Sequence, residues 1–256
     1  MLSVINPHPR DINITFKEEN HEYTVVGIEG KPTSVTTLIH KYFPEFDADA
    51  VITKMMSSRN WPHSKYYGQK REEIKDGWDK NKDEASRLGT IMHQRIEDYL
   101  NSKEVDVPDT KEFLMFIQFW NSLTTQYPTL RPYRTEWLVY DEDVGVAGSI
   151  DCVLTDANGN LVIIDWKRSK EIKFSNRYEK GNYPFHLNDN CNYIHYSFQL
   201  NFYRHILETK YGKNVIFMML VVLHPNQSAY MCHVVNRIDI SGLWPSLNNP
   251  TLTQHN

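Results

Sequence analysis

Apolar and polar positions change rhythm along the chain, and each change marks an element. Period-two alternation over residues 12–16 and 22–26 predicts a short N-terminal hairpin turning near Glu19 and Asn20. Ser34 stands before the stretch 35–42 and is placed to cap a short helix. A helix start carrying the Ser34 and Thr36 hydroxyls also suits a phosphate, and both readings stand. A second helix is predicted over 47–57. Residues 59–82 interleave Trp61, Tyr66, Tyr67 and Trp78 with lysines and Arg71. Such mixing suits single-stranded nucleic acid, but equally a solvated helix laced with ion pairs.

Residues 83–101 carry the clearest helical stripe: Leu88, Ile91, Met92, Ile96, Tyr99 and Leu100. Gly89, His93 and Glu97 form a neighbouring row on the same helix. After a connector at 105–109, a helix over 111–126 stops at Tyr127-Pro128. Three strands follow, at 134–140, 146–155 and 161–166. Asn158-Gly159 between the last two predicts a tight hairpin, because both residues tolerate positive φ. Residues 170–192 have no period and predict a mobile loop. A helix over 194–211 closes at Gly212, a buried strand spans 215–223, and a last strand spans 230–235. A short element at 238–243 and a weakly ordered tail complete the chain. Helices, three strands, a helix and two strands make an α/β protein with a mixed sheet and a helical N-terminal region.

The 256 residues suffice for one large domain. We divide it into an N-terminal hairpin and helical region (about 1–82), a core (about 83–240) and a tail (241–256). Hydrophobic content of 40% fits a folded protein, and no apolar run approaches the ~20 residues that span a bilayer. The first residues have neither the basic-then-apolar pattern of a secretory signal nor the Arg-rich, acid-free character of a mitochondrial leader. An intracellular protein of unassigned compartment is therefore expected. The three cysteines, Cys152, Cys191 and Cys232, are too few and too far apart for a four-cysteine iron–sulfur cluster. A net charge of −4 excludes a uniformly basic surface but permits a local basic groove.

The central hairpin carries the chemistry. Asp151 lies on its first strand and Asp165 on its second. Lys167 follows Asp165 at i+2 and so shares its face. Two nearby carboxylates repel unless a cation sits between them, and a hard divalent ion such as Mg²⁺ or Mn²⁺ meets that need. Neutral His93 can complete the shell, and Lys167 adds positive charge where a scissile phosphate develops negative charge. These groups suit phosphodiester hydrolysis.

Gly148-Ser149-Ile150-Asp151 followed by Ile164-Asp165-Trp166-Lys167 resembles the signature of the PD-(D/E)XK nuclease superfamily. Gly89 to His93 with Glu97, and Gln199 to Tyr203, resemble the added motifs of its RecB-like branch. The run from Val162 to Glu171 looks nearest to the stand-alone mitochondrial genome maintenance exonuclease type. The resemblance implies a restriction-endonuclease-like mixed sheet flanked by helices. It also implies a Mg²⁺- or Mn²⁺-dependent DNA exonuclease in replication, recombination or repair. His93, Asp151, Asp165 and the Trp166 carbonyl would bind metal. Lys167 would be the catalytic lysine, Glu136 an acid acting near the ligands, and Gln199 and Tyr203 would line the site. Ser34, Thr36, Tyr66, Tyr67, Arg168 and Lys170 are the candidate nucleic-acid contacts. The expected partner is DNA with single-stranded or free ends, together with a separate helicase or polymerase, and no membrane. A structure-specific endonuclease and an inactive nucleic-acid-binding module are the alternatives.

Overall fold

A computed structural model describes residues 1–103 and 110–248. The connector expected at 105–109 and the second half of the tail expected at 241–256 lie outside the described residues. The chain divides into two compact units, one built from residues 1–44 and 92–256 and the other from residues 45–91.

The larger unit opens with a one-turn helix, α1 (Leu2–Ile5), and the hairpin of β1 (Ile14–Lys17) and β2 (Glu22–Val25). These two strands pair antiparallel, as their alternation predicts. A two-residue strand, β3 (Thr33–Ser34), leads into α2 (Val35–His40). The main sheet adds β4 (Arg131–Asp141), β5 (Val146–Thr155), β6 (Leu161–Lys167), β7 (Val215–Val222) and β8 (Met231–Val234). Its order is β3-β5-β6-β7-β8, with β4 on β5. The β3·β5 and β6·β7 pairs are parallel and the others antiparallel, so the sheet is mixed.

Alternation along β6 sorts the core onto two faces. Leu161 and Ile163 join the cluster that contains Phe198, Phe202 and Ile206 of α6 (Asn192–Lys210). Val162, Ile164 and Trp166 join the cluster packed against Phe113, Phe116 and Phe119 of α5 (Lys111–Gln126) and against Met92 and Ile96. Helices thus cover both faces, and β6 is buried along almost its whole length.

The smaller unit holds α3 (Ala48–Met56) and most of α4 (Arg71–Leu100). The sequence predicts a helix from residue 83, but α4 starts twelve residues earlier, at Arg71. Its polar first half lacks an apolar stripe. The Lys70 N–H donates to the Glu73 carboxylate at 2.7 Å, and Glu72 and Glu73 sit in the acid-favouring first turn.

Three further expectations are corrected. The β5–β6 connection is five residues, 156–160, not a two-residue turn. The Asp156 carboxylate accepts from the Asn158 and Asn160 N–H groups at 2.9 and 2.8 Å. That places positive φ at Gly159 alone (81°). The segment 170–191 is irregular, as expected, but anchored: Phe185 is buried in the core, and Asn182 N–H donates to the Tyr42 carbonyl at 2.6 Å. The short element expected at 238–243 is replaced by a 3-10 turn at Trp244–Asn248. There the Trp244 indole donates to buried Asp141 at 2.8 Å. No described helix is long and apolar enough to cross a membrane.

Candidate active site

The site forms where β5 parts from both of its neighbours. The β5·β6 ladder runs from Thr155↔Leu161 to Cys152↔Ile164 and stops one pair before Asp151 and Asp165. Instead of a backbone partner, the Trp166 N–H takes the Asp151 carboxylate, at 2.9 Å. On the other side the β4 ladder pairs Thr135 with Cys152 and Trp137 with Ile150, leaving Glu136 out. Glu136 has φ of 42°. A left-handed conformation costs a non-glycine residue roughly 1–2 kcal/mol, and such strain concentrates where a side chain must be re-aimed. Both departures converge on Asp151.

Among the described residues, ligand atoms of His93, Glu136 and Asp151 lie within 4.8 Å of one another. His93 Nδ1 is 3.7 Å from both the Glu136 and the Asp151 carboxylate. Its Nε2 lies 3.0 Å from the Trp166 carbonyl, which orients the ring. The Ser149 hydroxyl donates to Glu136 at 2.7 Å, holding the second acid.

Asp165 and Lys167 do share a face, but the carboxylate is turned to the lysine. Lys167 Nζ is 3.0 Å from Oδ1 and 2.8 Å from Oδ2, and Gln199 Nε2 donates to Oδ1 at 3.2 Å. The expected set of His93, Asp151, Asp165 and the Trp166 carbonyl is therefore rearranged. Glu136 clusters with His93 and Asp151, Asp165 pairs with Lys167, and the Trp166 carbonyl faces His93. The Gln199 side chain also reaches the Tyr203 hydroxyl. The Tyr203 ring lies flat against β5 at Gly148, where an added Cβ would stand 2.6 Å from Cε1.

The electrostatics describe a site short of positive charge. Burial raises the Asp151 carboxyl; His93 lowers it, Asp165 and Glu136 raise it further, and it reaches about 7. Burial pulls His93 down, but the Asp151 and Glu136 carboxylates outweigh it and lift the imidazole to about 9. Burial also opposes charge on Lys167, yet Asp165 and Asp151 hold it above the usual lysine range. A half-buried cluster of two carboxylates and one imidazole, whose acids raise the proton affinity of their neighbours, has the donor set of a hard divalent ion. Such an ion supplies Lewis acidity toward a phosphoryl oxygen. The chain's own groups do the rest. Asp165, held by Gln199, holds the Lys167 ammonium, and Glu136, held by Ser149, and His93, held by Trp166, are the groups that would face such an ion.

Two residues at the site carried no clear signal in the sequence. The Tyr196 ring lies over Lys167 Nζ at 4.6 Å, a cation–π contact from the turn before Gln199. The Tyr23 hydroxyl on β2 lies against the Ser149 backbone. Burial, with Glu136 and Asp151 nearby, pushes it to about 12. Tyr196 shares the helix row of Gln199 and Tyr203, which is a usable signal; Tyr23 has none short of the fold.

The candidate nucleic-acid residues fare differently. Ser34 is committed as the α2 cap, accepting from Thr37 N–H at 3.0 Å, while Thr36 is exposed beside it. Arg168 is paired with Glu112 at 2.8 Å and nearly buried, so it is not free for phosphate. Lys170 is exposed. In the smaller unit the Tyr66 hydroxyl accepts from the Trp78 indole at 2.8 Å, whereas Tyr67 leaves 60% of its surface in solvent.

Comparison with known proteins agrees with this geometry. No curated protein matches the chain. Eighteen chains of known structure match. One of them, described as the crystal structure of SSO0001, is 16% identical with a TM-score of 0.29; the match covers 56% of this chain and 59% of that one. This chain thus spans less than two thirds of that structure's chain. The profile of the PD-(D/E)XK nuclease superfamily matches residues 110–240, about half of the chain. That stretch contains Glu136, Asp151, Asp165, Lys167, Gln199 and Tyr203. A mixed sheet whose strands part around an Asp, Asp, Lys centre, matched over that same stretch by this profile, makes the chain a member of the PD-(D/E)XK nuclease superfamily.

Proposed function

We propose that the chain is a divalent-metal-dependent DNA nuclease, acting as an exonuclease from single-stranded ends. The observation that carries the reading is the Lys167 ammonium held 2.8–3.0 Å from Asp165, beside a cluster of Asp151, Glu136 and His93. Mg²⁺ or Mn²⁺ is the ion: the oxygens suit both, and the His93 nitrogen tilts the set toward Mn²⁺. In this reading Asp151, Glu136 and His93 hold the ion, with Asp165 completing its shell from the lysine side. Lys167 stabilises charge on the scissile phosphate. End preference rests on the resemblance of the Gln199–Tyr203 row to the RecB-like branch. The process served is replication, recombination or repair, with a helicase or polymerase partner opening duplex where needed.

The test uses one sequence in two forms. A linear single strand with a labelled end should release mononucleotides or short products when Mg²⁺ or Mn²⁺ is added, and the same strand closed into a circle should survive. Cleavage of the circle refutes the exonuclease and leaves an endonuclease; inertness of both refutes the nuclease.

A further inference from the structure

The segment following Lys167 gathers large exposed side chains. Phe174, Tyr178 and Tyr183 keep 53%, 84% and 63% of their surface in solvent within ten residues of chain. Apolar residues exposed singly need no explanation, but three large exposed rings on one ten-residue segment make that segment a candidate interaction surface. The rings stand on fixed backbone. Ile172 and Phe185 are buried on either side of them. Lys173 N–H donates to the Asn192 side chain at 2.8 Å, and Asn176 N–H to the Asp189 carboxylate at 2.8 Å.

Cations interleave with the rings. Lys170, Lys173 and Arg177 are exposed, and among the described residues none has a carboxylate within ion-pair distance. Arg177 lies 5.9 Å from the Tyr178 ring, while Lys180 is already paired with Asp189. The rings also lead to the catalytic centre. Phe174 packs on Tyr193 in the first turn of α6, with centroids 4.6 Å apart. One turn along the same helix, Tyr196 sits over Lys167. Unpaired cations neutralise phosphates, and exposed rings stack on bases whose faces are open, as they are in a single strand and not in a duplex.

We propose that residues 170–183 form a single-stranded DNA contact surface that guides the strand past Phe174 toward Lys167. This rests on the reading of the Lys167 centre as a DNA nuclease site. It places the main stacking platform beside the chemistry rather than at 59–82, where the sequence left stacking and a solvated helix both open.

The test is fluorescence anisotropy of the full chain with a labelled oligothymidylate, in EDTA so that nothing is cleaved. Phe174→Ala with Tyr178→Ala should weaken binding by about tenfold or more. Lys173→Ala with Arg177→Ala should lower the slope of log affinity against log salt by about 1.4. Both pairs should hydrolyse bis(4-nitrophenyl) phosphate with Mn²⁺ at the wild-type rate, since that small ester needs no strand contact. The charge pair lies at exposed positions and carries the test if the ring pair fails to fold. Unchanged affinity in the folded variants, or a wild type that binds no single strand at low salt, overturns the proposal. A wild type that binds through this surface but cleaves no DNA upholds the surface and refutes the nuclease reading instead.

Discussion

Gly148→Ala is a one-methyl test of how the site is held. Gly148 does not have positive φ, so its backbone accepts alanine, and loss of glycine alone would slightly favour folding. The obstacle is steric. The new Cβ would lie 2.6 Å from Tyr203 Cε1, 2.9 Å from its hydroxyl and 3.2 Å from Cζ. Ordinary contact distance between carbons is about 3.5–4.0 Å, so the ring must retreat by roughly 1 Å. Tyr203 is buried, and overpacking against a buried ring of this kind costs about 1–3 kcal/mol. For a domain of this size each kcal/mol corresponds to about 2–4 °C in Tm. Retreat of the ring also pulls on Gln199, one turn away, which holds Asp165. Activity should therefore fall together with stability. Thermal and urea unfolding of the four members of the Gly148→Ala, Tyr203→Leu cycle check this. With leucine at 203 the alanine should cost less than about 0.5 kcal/mol, giving a coupling of 1 kcal/mol or more. Additive losses would refute the argument that Gly148 exists for the Tyr203 ring.

Three more outcomes follow from the same geometry. In the metal-free protein His93 (about 9, against 6.5) and Asp151 (about 7, against 3.8) both have raised pKa values. The folded state then holds extra protons between about pH 4 and 9, and stability falls as pH rises through that window. A divalent ion displaces those protons, so the Tm gain on adding MgCl₂ should be larger near pH 8.5 than near pH 6; a gain independent of pH would take these groups out of metal binding. Tyr196→Phe keeps the ring over Lys167 and should retain most activity, whereas Tyr196→Leu should lower kcat several-fold with KM little changed, and equal losses in both would remove the cation–π role. Asp11→Ala strands the nearly buried Arg134 guanidinium and the Trp137 indole, both of which donate to it, and should cost about 3–5 kcal/mol by urea unfolding; a loss below about 1 kcal/mol would mean that Asp11 does not anchor the N-terminal segment to β4.

The parts of this molecule that could be read from its sequence are those set by local rhythm. Strand β5 runs from Val146 to Thr155 and α5 from Lys111 to Gln126, as the patterns predict, because β5 is rich in β-branched and apolar residues and α5 carries a helical stripe. The first half of α4 escaped because its apolar anchors, Ile74 and Trp78, are only two among ten charged residues and make no extended stripe. Asp165 and Lys167 were readable as neighbours because a strand's period of two forces them onto one face. The place of Glu136 was not readable: it depends on a left-handed residue opposite Asp151, a conformation glutamate's intrinsic preferences argue against. Arg168 looked like a phosphate contact because Glu112, its partner, is 56 residues away in the chain. Tyr23 reaches the site only through the docking of the N-terminal hairpin, which has no sequence motif at all.

In the proposed function Asp151, Asp165 and Lys167 form a metal-dependent centre that cleaves DNA. End-labelled single-stranded DNA, incubated with wild type and with Asp151→Asn, Asp165→Asn and Lys167→Ala in Mg²⁺, Mn²⁺ or EDTA, addresses it most directly. Wild type should digest the strand only with an ion present, and each variant should lose at least about a hundredfold in rate while keeping the wild-type fold by circular dichroism. Digestion in EDTA, or variants that cleave at the wild-type rate, would contradict the account.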